Sequence, residues 1–355
     1  MLVVRAINSA DLDGLYQLAC EVGSGMTTLK ADMPMLGERL RVACASFAET
    51  IEPAKRDYLF VMEDTDNGRL AGVCGIKGAV GLEEPFYNYR IGTLVHSSRE
   101  LGVFSRMETL YLSNDLTGST ELCSLFLHPD YRSGSNGKLL SKSRFLFIAQ
   151  FPHLFTEKLI AEMRGYQAKD GSSPFYEGLG RHFFKMDFDH VDDLTSLGKK
   201  SFIAELMPRQ PLYVAYLPDE AQQVIGKVHL STAPARHLLE QEGMHFEGYV
   251  DIFDAGPVLQ TRVSELRALR DSVLGAVVES GAILQGEEEG ELRMVSNTVL
   301  ADFRMIATHA QPDSINGQLA LAPAEQQALH CQDGAAVRTL TLNVRKPSHV
   351  QIVHP

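Results

Sequence analysis

No stretch of the 355-residue chain approaches the roughly 18–20 consecutive apolar residues that a membrane-crossing helix needs, so no span is expected. Cysteine is scarce. Cys20, Cys44, Cys74, Cys123 and Cys331 are scattered, odd in number and form no C-x-x-C. That argues against a disulfide framework or a structural zinc, and for a reducing cytoplasm; no metal site is expected. Basic residues are outnumbered, 33 against 45 acidic, for a net charge of −12. A nucleic-acid partner would call for a basic footprint and is not expected, whereas a cationic small substrate is compatible. The chain begins Met-Leu-Val-Val-Arg, a strand pattern without the layout of a signal peptide. Two nucleotide motifs are absent as well. There is no G-x-x-x-x-G-K-[ST], and no G-x-G-x-x-G.

What is present is an ordinary globular composition, 45% hydrophobic and 22% charged. A chain of this length can bury a full core and suggests two domains, read as 1–260 and 261–355. Residues 119–148 hold the most informative stretch. Leu122 to Leu127 is an apolar run of strand length, ended by His128-Pro129-Asp130 because proline has no N–H for a ladder. A loop follows from Arg132 to Lys138, with Gly134 and Gly137 among small polar residues. A helix is expected over Leu139 to Gln150. Strand, glycine loop and helix together make an anion site, because N–H groups at a helix start are unpaired and the dipole favours negative charge there.

The other elements follow from their patterns. Leu2 to Arg5 reads as a strand. Leu12, Leu15, Leu18 and Ala19 recur at helical spacing, and Leu36, Leu40, Ala43 and Phe47 mark a second helix opened by Pro34. Tyr58 to Met62 and Leu70 to Ile76 form a hairpin around Asn67-Gly68. Residues 80–118, rich in turn formers and aromatics, read as an insertion of loops that sets specificity. Leu159 to Met163, Phe202 to Leu206 and Tyr249 to Phe253 read as strands. Ser173 to Phe184, Asp219 to Val228 and Ala233 to Glu242 read as helices. The tail carries short β-rich runs and is expected to form a small β-barrel-like module.

The run Tyr131-Arg132-Ser-Gly-Ser-Asn-Gly137-Lys-Leu-Leu140 resembles the pyrophosphate loop of the GCN5-related acyl-CoA N-acyltransferases, with Ser135 where the first glycine belongs. The order of a strand, two helices, a hairpin, then strand, loop and helix is also that family's. The implied fold is α/β (α+β): a mixed twisted sheet flanked by helices. Longer strings resemble one family within it, the arginine N-succinyltransferases. They include Glu84-Pro-Phe-Tyr-Asn-Tyr-Arg-Ile-Gly-Thr-Leu-Val-His96, Leu112-Ser-Asn-Asp-Leu-Thr-Gly-Ser-Thr-Glu-Leu-Cys-Ser-Leu-Phe-Leu127, Val224-Ile-Gly-Lys-Val-His229 and Tyr249-Val-Asp-Ile-Phe-Asp-Ala-Gly-Pro257.

That resemblance implies a cytoplasmic acyltransferase of amino-acid catabolism. It moves succinyl from succinyl-CoA, a co-substrate rather than a resident cofactor, to the α-amine of L-arginine. Attack is expected to be direct, within a ternary complex. The family's general acid falls on His229, with His96 and Tyr131 as rivals, and a succinyl-CoA contact falls on Leu125. Arg132, Gly134, Ser135, Asn136, Gly137 and Lys138 would cradle the pyrophosphate; Arg144 would meet an outer phosphate or form a structural ion pair. Arginine itself needs carboxylates for its guanidinium and a cation for its carboxylate. Candidates are Asp115, Glu121, Glu83 and Glu84 for the first, and Arg90 or Arg99 for the second, with His96 nearby. Three alternatives stay open: ornithine, both amino acids, or a non-catalytic acyl-CoA-binding subunit. A homo-oligomer or a heteromer with a related subunit is expected.

Overall fold

A computed structural model describes residues 1–22, 26, 28–196, 201–279, 290–313 and 317–344. Ten strands precede the tail: β1 Leu2–Ala6, β2 Asp57–Asp64, β3 Arg69–Lys77, β4 Asn88–Ser98, β5 Val103–Ser113, β6 Thr120–Leu127, β7 Lys158–Glu162, β8 Leu212–Tyr213, β9 His245–Asp251 and β10 Pro257–Arg262. Five more follow: β11 Val273–Glu279, β12 Arg293–Asn297, β13 Arg304–Thr308, β14 Gln318–Leu321 and β15 Ala336–Thr341. All join one mixed sheet in the order β14-β11-β15-β12-β13-β1-β2-β3-β6-β7-β10-β9-β4-β5-β8. The pairs β6–β7 and β11–β14 are parallel.

Period-two alternation sorts each strand between two helical layers. On one face Leu59, Val61, Val73 and Phe126 pack against α1 (Leu12–Cys20) and α2 (Met33–Phe47). Asp32 caps α2, its carboxylate accepting from the Met35 N–H at 2.9 Å. On the other face Phe60, Met62, Cys74 and Leu122 pack against α3 (Asn136–Gln150). Phe147 of α3 centres an aromatic cluster, 4.9 Å from Phe60 and 5.0 Å from Phe303.

α3 is buried on every side, from Leu139 to Ala149. The short helices α4 (Ala233–Gln241) and α5 (Arg267–Asp271) and the tail cover what the sheet does not. Its polar residues therefore need internal partners. Lys142 Nζ lies 3.0 Å from Glu242 and donates to the Leu342 carbonyl at 3.0 Å; Arg267 meets the same Glu242 at 2.8 Å. This cluster ties α3, the end of α4, α5 and the tail together.

Four expectations change. The tail is not a closed barrel: its strands extend the main sheet from β1 through β13, and the sheet stays open. Residues 80–118 are not mainly loops, since β4 and β5 pair over eleven positions as a long hairpin. Residues 202–206 are not a strand but lie in the helix Ser201–Leu206, which buries Ile203; so short an apolar run does not declare its period. The helix over 219–228 stops at Val224, because Gly226 takes a left-handed φ of +72°.

Candidate active site

β6 organises the site through two departures from regular pairing. Val73 and Gly75 of β3 face Phe126 and Cys123, so Ser124 and Leu125 together stand opposite Cys74. That is a β-bulge, and Ser124 carries its cost in a left-handed φ of +53°. The extra residue flips the alternation: Cys123 lies on the α2 side, and so does Phe126, while Leu125 and Leu127 pack on the α3 side. On the other edge, β6 pairs with β7 at Thr120–Leu159 and Glu121–Ile160 only. Beyond Glu121 the two strands part.

A cleft of about 1960 Å³ opens at this parting. Glu121, Cys123, Ser124 and Leu125 line it from β6; Glu162 and Arg164 line it from the end of β7. Arg132, Gly134, Gly137 and Lys138 line it from the loop and the start of α3. The helix begins at Asn136, three residues before the expected Leu139. Its first turn is therefore made of Asn136, Gly137 and Lys138, with Ser135 as the N-cap residue. No side chain caps it. Asn136 Nδ2 instead donates to the Tyr131 carbonyl at 2.9 Å, and Arg132 Nε donates to the Leu127 carbonyl at 2.9 Å, with its guanidinium over the Phe126 ring. Gly134 turns the chain with φ +55° in open space. The result is an uncapped helix start facing the cleft beside Arg132 and Lys138, a place suited to an anion.

Arg39 of α2 holds the bulge. Its fork grips Asp57 at 2.8 and 3.2 Å, and Nη1 donates to Ser124 Oγ at 2.7 Å. Nη2 reaches Cys123 Sγ at 3.4 Å. Burial nonetheless pushes the Cys123 thiol above its ordinary pKa, so it stays protonated.

His229 sits at the same end of β7. Its N–H donates to the Arg164 carbonyl at 2.9 Å, and Gly165 bridges Val228. Ser231 engages Nδ1 with its N–H at 3.2 Å and its Oγ at 2.7 Å, while Nε2 has no partner among the described residues. Burial, then the charge of Arg164, lowers the pKa of His229. Arg164, Ser231 and Thr232 line the cleft; His229 is half-buried beside Ser231 and is not itself a lining residue. The turn 251–257 closes this corner. Asp254 accepts from the N–H groups of Gly165 at 2.6 Å and Gly256 at 2.8 Å, and burial followed by the neighbouring Asp251 pushes its carboxyl well up.

Of the remaining candidates, Glu83 and Glu84 line the cleft and the others lie away from it. Arg90 and Asp115 sit 3.7 Å apart, and Tyr249 donates to Asp115 at 2.9 Å; neither charged residue lines the cleft. His96 is out on the β4–β5 hairpin, its Nε2 3.1 Å from the Tyr213 hydroxyl. Glu83 meets Lys55 at 3.2 Å on the cleft rim, with Glu84 beside it. Tyr131 donates to Asp64 at 3.0 Å. Among the described residues no group of three or more His, Cys, Asp or Glu is arranged to hold a metal ion, and no helix is long and apolar enough to cross a membrane. Sequence reasoning passed over Arg39 and Ser231. Ser231, two residues after His229, was visible as a possible ring partner; Arg39 was not, because its targets are 18 and 85 positions away.

The family model of the arginine N-succinyltransferase beta subunit matches residues 2–268, and that of its C-terminal domain matches 276–341. The chain belongs to the arginine N-succinyltransferase family. It is 48% identical to the arginine N-succinyltransferase subunit beta of Pseudomonas aeruginosa, across 97% of this chain and 99% of that one. It is 47% identical to the arginine N-succinyltransferase of Citrobacter koseri, across 96% and 98%. The solved structure of arginine/ornithine succinyltransferase subunit AI from Pseudomonas aeruginosa superposes with a TM-score of 0.87 at 33% identity, covering 97% of this chain and 99% of that one. The family is one of acyltransferases, and the expected activity class and fold both stand.

Proposed function

We propose that the chain transfers succinyl from succinyl-CoA to the α-amine of L-arginine. The observation that carries this reading is the cleft at the parting of β6 and β7 in a member of this family, with a bulged strand on one side and an uncapped helix start at its mouth. The pyrophosphate lies against Arg132 to Lys138. The thioester lies along β6, with the Leu125 N–H turned to its carbonyl oxygen, where negative charge develops as the amine attacks. The new C–N bond forms, the C–S bond breaks, and the proton lost by nitrogen ends on sulfur.

His229 carries that proton. Its lowered pKa keeps the ring neutral near pH 7, ready to receive, and makes the charged ring a stronger acid towards the departing thiolate. Nδ1 accepts from the Ser231 N–H and lies against its hydroxyl, which fixes the ring and leaves the Nε2 edge for substrate. Cys123 offers no covalent route, because burial keeps it a thiol and no histidine base touches it among the described residues. Attack is therefore direct.

Purified chain with L-arginine and succinyl-CoA should release CoA and yield arginine with one added succinyl group by mass spectrometry. The arginine/ornithine name of the matched structure favours a second reading, in which ornithine is also an acceptor. Comparing arginine, ornithine and lysine decides it. The word subunit in two of the matched names supports assembly with a related chain. Turnover that appears only after a related subunit is added would replace the present reading with that of a supporting subunit.

A further inference from the structure

Arg144 is a buried cation with no anion beside it among the described residues. Its side chain, on the third turn of α3, is fully enclosed at 2% exposure yet borders the cleft. Its hydrogen bonds all go to neutral acceptors: Nε to the Ser141 carbonyl at 3.1 Å, Nη2 to Ser141 Oγ at 3.1 Å, and Nη1 to the Cys123 carbonyl at 3.5 Å. No carboxylate stands within 4 Å among the described residues. The neighbouring thiols supply no charge, since burial raises both, Cys74 to about 11. Lys142, Arg39 and Arg5 differ. Lys142, one position away from Ser143 and on the same helix, meets Glu242 at 3.0 Å; Arg39 meets Asp57 and Arg5 meets Asp11. A guanidinium does not shed its proton, so burial without an anion is costly and points to an anion that arrives with a ligand.

We propose that Arg144 is the receptor for the free carboxylate of the succinyl group, and so selects an acyl donor that ends in an anion. The inference rests on the reading of Leu125 as the thioester contact. Cys123, whose carbonyl Arg144 touches, precedes Leu125 by two residues, about 6–7 Å along a strand. The succinyl carbon chain spans about 4 Å from thioester carbon to carboxylate carbon. With a hydrogen bond at each end, the acyl group bridges the two points. The guanidinium fork suits a carboxylate, and a planar bidentate grip fixes the depth of the chain.

The test measures kcat/KM and binding for succinyl-CoA and for butyryl-CoA, which has the same carbon count and no charge, in wild type and in Arg144→Met. Methionine fills the volume without charge. The wild type should prefer succinyl-CoA by at least about 100-fold. The Met variant should lose about that factor for succinyl-CoA and keep or gain turnover with butyryl-CoA. Equal losses on both donors, or a succinyl-CoA value within threefold of wild type, would overturn the proposal. If the variant does not fold, the wild type alone decides: transfer from the methyl ester of succinyl-CoA within threefold of succinyl-CoA itself overturns it, and rejection of the ester supports it. Failure of the functional reading looks different. A wild type that binds succinyl-CoA over butyryl-CoA but transfers neither keeps the carboxylate receptor and loses the catalytic role.

Discussion

Replacing Arg39 with lysine tests how the bulge is held. Ser124 sits at φ +53°, which costs a residue with a Cβ roughly 1–2 kcal/mol. The charged hydrogen bond from Arg39 at 2.7 Å contributes about 1.5–3 kcal/mol and offsets it. Lysine keeps a positive charge for Asp57 but cannot reach Asp57 and Ser124 at once, because it lacks the fork. The bulged form then loses about 1.4 kcal/mol or more relative to regular pairing, so kcat should fall about tenfold. KM for succinyl-CoA should change little, since the loop and helix start are untouched. The second substitution is the informative one. Ser124→Gly adopts a left-handed φ without strain, so in the Arg39→Lys background it should restore most of kcat. CoA release followed with a chromogenic thiol reagent reads all three variants. If Arg39→Lys lowers kcat and Ser124→Gly does not bring it back, Arg39 acts through Asp57 alone and the reasoning about the bulge fails.

Further predictions follow from single contacts. The acid limb of the kcat/KM pH profile should fall through a pKa below the usual histidine value of about 6.5, because the proposed proton carrier, His229, has to be neutral to take up a proton and its pKa is lowered. Arg164→Gln should move that limb upward, and a profile that does not move removes Arg164 as a cause. Glu242→Gln strips the anion from both Lys142 and Arg267 and should cost about 3–5 kcal/mol in urea unfolding, with a loss under 1 kcal/mol counting against the buried cluster. Gly134→Ala meets open space, so only its φ of +55° opposes it; a severalfold rise in KM for acyl-CoA is expected, with a loss of no more than about 1–2 kcal/mol in urea unfolding. Unaltered KM would remove that turn from the CoA contact.

Much of the frame could be read from local signals. Asn67-Gly68 announced the β2–β3 hairpin, and the apolar spacing announced α1 and α2, because turn chemistry and helical period act within a few residues. The strand of residues 122–127 and the following helix were legible for the same reason. The bulge was not. Ser124 carries no mark of a left-handed φ, which arises from pairing with β3 and from Arg39, 85 positions away. The open sheet in place of a barrel was likewise decided by a distant pairing, β1 with β13. Among charged residues, sequence gives type but not company. Arg90 and Asp115 were proposed for opposite ends of the substrate and lie close to each other. Arg144 was expected to meet a phosphate or an ion pair, and it is the lack of a carboxylate neighbour that sets it apart.

The most direct measurement is a steady-state comparison of succinyl-CoA and acetyl-CoA with L-arginine as acceptor. The account requires kcat/KM to favour succinyl-CoA by at least about 100-fold, because only the longer donor brings an anion to a buried cation. Equal values for the two donors would contradict it.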